Sequence, residues 1–252
     1  SASVADGGNG FLSTGLVDAV ATISDTNLSA ADAIAINAVT TANSTVNIAA
    51  ATRITGLLAD VNTILADAGT DYVGEGSELI TLTDATLSAS ALATLLANGA
   101  QLTDKTVTTV ASSISGTEAE VSLILDDTLD AAAGGLVKQH DVDNGNDGST
   151  TVVGLDGINV TLSGTPTAAQ VNAIALKTTG TITATLSGTA SAISTGLTET
   201  IAATGGHALT VNLTDTEVTA AILNTISGLT TGAITLDTDS GTAGNQSPAI
   251  SG

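Results

Sequence analysis

Short runs in which apolar residues alternate with Thr or Asn recur along this chain. Asn159-Val160-Thr161-Leu162, Thr181-Ile182-Thr183-Ala184-Thr185-Leu186 and Leu209-Thr210-Val211-Asn212-Leu213 are the clearest. A period of two is that of a strand with one buried face. After each run the apolar spacing lengthens to that of a helix. Leu57, Leu58, Val61, Ile64, Leu65 and Ala68 form one stripe, and Leu87, Ala91, Leu92, Leu95 and Leu96 a second. Val218, Ala221, Ile222, Thr225, Ile226 and Leu229 form a third. Between strand and helix stands a step of Ser or Thr, then Asp or Gly, then mostly Thr, whose oxygens suit the free N–H groups of a first helical turn. Thr117 with Glu120 three residues on has the capping-box spacing, and Asn98-Gly99 and Gly228 read as helix stops.

These steps repeat. Ile23-Ser24-Asp25-Thr26-Asn27-Leu28-Ser29-Ala30 matches Leu82-Thr83-Asp84-Ala85-Thr86-Leu87-Ser88-Ala89 in character, 82 − 23 = 59 residues on. Ile54-Thr55-Gly56 matches Ile114-Ser115-Gly116, 114 − 54 = 60 residues on. An Asp-type and a Gly-type half-unit thus alternate. Leu162-Ser163-Gly164, Leu186-Ser187-Gly188, Leu213-Thr214-Asp215 and Leu236-Asp237-Thr238 continue the series at closer spacing. Each unit of roughly 25–30 residues reads as strand, capped helix and return, too small to bury its own stripe without a neighbour. The expected fold is α/β: a β/α solenoid of short strands and short capped helices with a mostly parallel sheet, since a helix separates each strand from the next. It is read as a single repeat array over 1–252, with 1–20 the remnant of a preceding unit and 21–125 two double units of about 60 residues. An insertion at 126–157 and shorter units over 158–252 follow.

Composition narrows the function. Of 252 residues, 25 are acidic and four basic, giving a net charge of −21, and the four cations cannot neutralise a nucleic-acid backbone. Without Cys there is no disulfide or thiolate site. Phe11 and Tyr72 are the only aromatics, too few to floor a sugar-binding cleft, so the core is aliphatic. Mean hydropathy is +0.40, yet polar residues or Gly interrupt every apolar run well before it could span a membrane. No secretion signal is legible, and the absence of Met, position 1 included, is what an excised piece of a longer protein would show.

The excess between Ile114 and Leu162 holds the candidate chemistry. Asp141, Asp143, Asn146, Asp147 and Asp156, interleaved with Gly145 and Gly148, offer the oxygen ligands a calcium ion takes, although the EF-hand spacing and its closing Glu are missing. The same residues also make an ordinary exposed turn loop. His140 and His207 lie far apart and read as exposed side chains. Asn43, Asn159 and Asn212 head formal glycosylation sequons, expected by chance in a Thr-rich chain; the two strand sites read as partly buried. Thr-x-Thr pairs such as Thr181/Thr183 raise ice binding, but β-branching alone suits Thr to a strand. No nucleophile elbow, phosphate loop or HExxH motif occurs, so no enzyme and no small-molecule substrate are expected.

VNIAAATRITGLLADVNTILADAG, ELITLTDATLSASALATLLANG and VTTVASSISGTEAEV resemble repeats of very large acidic surface proteins of marine cyanobacteria and of cyanophage structural, fibre-like proteins. The resemblance covers roughly 20–125 well and 158–240 more loosely. It implies a structural role on a cell surface or virion and supplies no catalytic residues. The expected function is therefore an extracellular or virion-surface spacer, fibre or surface-layer block, contacting copies of itself or neighbouring repeats end to end. The alternative is a calcium-dependent adhesin or receptor-binding module that uses 126–157.

Overall fold

A computed structural model describes residues 20–39, 45–76, 78–97, 107–125, 152–153, 157–198, 207–236 and 249–251. Sixteen strands and seven helices lie among these residues. In chain order they are β1 (Val20–Thr22), β2 (Asn27–Ser29), α1 (Ala30–Val39), β3 (Thr45–Asn47), β4 (Arg53–Gly56), α2 (Leu58–Ala66), β5 (Tyr72–Val73), β6 (Leu79–Leu82), β7 (Thr86–Ser88) and α3 (Ala89–Ala97). There follow β8 (Val107–Thr109), β9 (Ser113–Gly116), α4 (Glu118–Ile124), β10 (Val152–Val153), β11 (Asn159–Leu162), α5 (Ala168–Ala175), β12 (Ile182–Gly188) and α6 (Ala190–Gly196). The chain continues through β13 (Ala208–Leu213), β14 (Glu217–Thr219), α7 (Ala220–Ser227), β15 (Ile234–Leu236) and β16 (Ala249–Ser251).

The fold is mixed α/β with parallel sheets, and among the described residues no barrel closes. The sheet orders are β1-β3-β5, β10-β8-β6-β4-β2, β15-β13-β12-β11-β9-β7 and β14-β16. Within the five-stranded sheet the register is nearly constant: Asn27 pairs with Arg53, 53 − 27 = 26 residues on, and Arg53 with Leu79, 79 − 53 = 26. Ile80 pairs with Val107, 27 on. In the six-stranded sheet the steps are 22 from Val160 to Ile182, 25 from Thr183 to Ala208 and 23 from Val211 to Ile234. Two steps stand apart, Val107 to Val152 at 45 and Ser113 to Asn159 at 46. They mark the insertion read from the sequence, and the pairing on either side of it stays parallel.

A constant register stacks like on like. Leu28, Ile54, Ile80 and Val107 form one inward column and Ile114, Val160 and Ile182 another, all buried. Each such side chain contributes about 1.5–3 kcal/mol by leaving water. Outward hydroxyls bond along the same ladder: Thr108 Oγ1 donates to Ile80 O at 3.1 Å and lies 3.2 Å from Thr81 Oγ1, and Thr55 Oγ1 donates to Asn27 Oδ1 at 3.0 Å.

The simple scheme of one strand, one helix and a return misses half of the strands. A typical repeat holds two strands separated by a corner, as β3, Ile48–Thr52 and β4 precede α2. The two strands enter different sheets, which is why four sheets form where one was expected. Helix faces also differ in part. Leu58, Val61, Ile64 and Leu65 are buried as read, but Leu57 is 50% exposed because it precedes the helix. Leu87 and Val218 are buried from strands β7 and β14, while Ala221 and Thr225 are exposed on α7. Gly228 ends α7 at φ −74, so no left-handed stop occurs there, and Asn98-Gly99 lie outside the described residues. Asn159 is exposed, Asn212 half-buried, and Asn43 outside the described residues.

The chain forms two compact units. The first contains β1–β6, β8, β10, α1 and α2; the second contains β9, β11–β16 and α4–α7; β7 and α3 contribute to both.

Candidate functional site

The most specific geometry in both units is the corner before or after each helix. Thr117 caps α4 in the box foreseen from the sequence: its hydroxyl accepts from Glu120 N–H at 3.3 Å, and Glu120 Oε2 accepts from Thr117 N–H at 2.8 Å. Glu120 Oε2 also accepts from the Thr117 hydroxyl at 3.0 Å, and these two bonds to the carboxylate, from the Thr117 backbone and then its hydroxyl, hold the Glu120 carboxyl below the usual range. A second box, Thr167 with Gln170, opens α5, and Thr189 and Thr219 cap α6 and α7. It escaped the sequence reading because Thr165, in the expected step, is not the cap; Thr167 is.

The Asp-type step works otherwise. A short strand, not a helix, follows Asp25, Asp84 and Asp215: β2, β7 and β14, each outermost in its sheet. The carboxylate of Asp84 turns back to the preceding repeat and accepts from Leu58 N–H, the first residue of α2, at 2.7 Å. Leu57, at the cap position of that helix, has no side-chain oxygen to do this. Asp215 does the same for Ala190 N–H at the start of α6, at 2.6 Å. The separations are 84 − 58 = 26 and 215 − 190 = 25 residues. An anion at a helix N-terminus also meets the positive end of its dipole.

Gly56 and Gly116 occupy the equivalent place over the starts of α1 and α3. A Cβ on Gly56 would lie 2.6 Å from Ala30 Cβ, the first residue of α1, and one on Gly116 would lie 2.9 Å from Ala89 Cβ. Ala30 and Ala89 are fully buried. Backbone bonds complete each corner: Thr83 N–H donates to Gly56 O at 3.0 Å, Ser163 N–H to Gly116 O at 2.8 Å and Thr214 N–H to Gly188 O at 3.0 Å. At these four steps the choice of Asp or Gly has a physical cause: Asp84 and Asp215 cover a helix start that needs an acceptor, and Gly56 and Gly116 one that leaves no room, whereas Gly164 has nothing within 4 Å and Gly188 only Ile193 at 3.9 Å.

Helices are tied to their successors by polar side chains. Asn62 of α2 donates to Ala91 O of α3 at 2.9 Å, and Asn172 of α5 donates to Gly196 O of α6. Gln170 donates to Glu118 of α4 at 3.1 Å, and Lys177 Nζ donates to Ser122 O at 3.0 Å.

Asp141, Asp143, Asn146, Asp147 and Asp156 all lie outside the described residues, as does His140. Among the described residues, no three His, Asp or Glu side chains gather as a metal site would require, and no helix is long and apolar enough to cross a membrane. His207 departs from expectation. It is 1% exposed, because the parallel register carries it inward beside Ile182. The sequence signal was its place two residues before Leu209 in an alternating run, which puts both on one face.

The fold is thus of the repeat-built parallel α/β kind. Comparison with protein-family models, with curated proteins and with solved structures finds no match.

Proposed function

We propose that these repeats wind as a β/α solenoid and that the chain is a structural segment displayed outside a cell or on a virus particle. It acts there as a spacer, fibre or surface-layer block, and its neighbours are copies of itself or adjoining repeats laid end to end. One observation carries the reading: the first turn of α2 and of α6 is completed by a carboxylate supplied by the following repeat, at Asp84 and Asp215. A repeat whose helix is finished by its successor is built to be one of a series, and function then resides in extent.

The test is electron microscopy of chains with different numbers of the 26-residue repeat. Each added repeat should lengthen the particle by one strand spacing, about 4.8 Å. Dimensions that do not change with repeat number would overturn the reading. Antibody labelling of intact cells or particles tests the location, and failure to label before lysis would overturn that part.

A further inference from the structure

His207 lies in the second unit, in an isolated parallel bridge to Thr230, one residue before the Thr183–Ala208 pair that begins the β12–β13 ladder. Its Nδ1 accepts from the Ile182 backbone N–H at 3.2 Å, across 25 residues. An accepting Nδ1 leaves the proton of the neutral ring on Nε2. Nε2 is itself buried and has no hydrogen-bond partner. Thr230 Oγ1 donates to His207 O at 3.0 Å, so the backbone of His207 is held from the β15 side as well.

We propose that His207 is an acid-sensitive latch: as a neutral ring it ties the start of β12 to the start of β13, and on protonation it releases that junction. A second proton can go only onto Nδ1, where it would face the Ile182 N–H donor to donor. The charge would also be stranded among Ile182, Leu209 and Thr230, each at least nine-tenths buried. No described neighbour offsets it. β12, β13, β15 and the turn from Leu229 to Gly232 carry no ionisable side chain, and neither do α5, α6 or α7. The nearest ionisable groups along these elements are engaged or turned outward: Lys177 Nζ donates to Ser122, the Asp215 carboxylate accepts from Ala190 N–H, and Glu217 is exposed. Burial accordingly depresses the basicity of the ring.

The linkage sign follows. The unfolded ring takes up its proton near pH 6.5 and the folded one only at lower pH, so stability is complete above 6.5 and falls as pH drops below it. The experiment is amide hydrogen exchange with NMR of the isotope-labelled chain between about pH 8 and about pH 4.5. After correction for intrinsic exchange, openings that expose Ile182 and Leu209 should rise by up to about tenfold per pH unit below 6.5. The Leu28 and Ile54 amides of the first unit should not follow. His207→Phe and His207→Thr should flatten this dependence. An imidazole that titrates near pH 6.5 in the folded chain would overturn the proposal, as would Ile182 protection that does not change with pH. So would the same pH dependence in a folded variant. Should both variants fail to fold, the titration of the native chain decides alone.

Discussion

Asp84 and Leu58 lie 26 residues apart in sequence, and a 2.7 Å hydrogen bond joins the carboxylate of one to the backbone N–H of the other. It supplies α2 with the acceptor that Leu57 cannot provide. Asp84→Ala should therefore destabilise the first unit by about 1–2 kcal/mol, as the loss of a helix cap does. Asp215→Ala should cost less, because α6 keeps the Thr189 hydroxyl on Ala192 N–H. Urea unfolding of the two variants beside the native chain checks the order; equal losses would contradict it.

Gly56 is fixed by Ala30 rather than by its own backbone angles. A methyl group there would meet Ala30 Cβ at 2.6 Å. Gly56→Ala should cost about 1–3 kcal/mol through overpacking. Ala30→Gly makes room, so the double variant should lose less than the sum of the two single losses. A double-mutant cycle measures this coupling, and strict additivity would show that the two residues do not compete for space.

Glu120 gives one limb of the acid response. Its folded carboxyl is held below the ordinary value of 4.5 by the Thr117 backbone N–H and then the Thr117 hydroxyl. Stability from this source is present above pH 4.5 and is lost as pH falls through the lower folded value. Glu120→Gln keeps an acceptor, as Gln170 does in the second capping box, and should remove the acid dependence while retaining most of the cap. Melting temperature against pH for the two chains is the measurement; parallel curves below pH 4.5 would count against this assignment.

Tyr72 is the sole tyrosine and is 1% exposed. Burial, then the nearby Asp67 and Asp71 carboxylates, raises its phenol above 10.0. The unfolded phenol loses its proton first, so stability should fall as pH rises beyond 10.0, towards the folded value. Ultraviolet absorbance followed through an alkaline titration should show less than half of the phenol ionised at pH 10.0 in the folded chain. Half-ionisation at that pH would contradict the burial.

The sequence carried the fold class through two signals. Alternation marked β11, β12 and β13, where Val160, Ile182, Leu209 and Val211 point inward, and the 3.6-residue period marked α2. It also carried the existence of two kinds of corner and the Thr117–Glu120 box. It did not carry the short strands β1–β3, β5 and β7, because two or three residues hold too few alternations for a period to emerge. The partner of the Asp-type corner was hidden for a different reason. A carboxylate before an apolar run looks like a cap for the next helix, and only the parallel register brings it to the previous one. His207 was misjudged because a histidine without a partner in the sequence reads as exposed, while the pairing of Thr183 with Ala208 assigns it an inward position. The carboxylates from Asp141 to Asp156 lie outside the described residues, and sequence remains the whole basis for reading calcium there.

The hydrogen bond from Leu58 to Asp84 has a direction in time. A ribosome releases the chain from its N-terminus, so α2 emerges 26 residues ahead of the carboxylate that finishes its first turn. A nascent chain therefore matures one step behind its own synthesis, each addition consolidating what came just before. Growth of this kind proceeds as a zipper closes, and a polypeptide cut off before Asp84 would leave α2 frayed at the start.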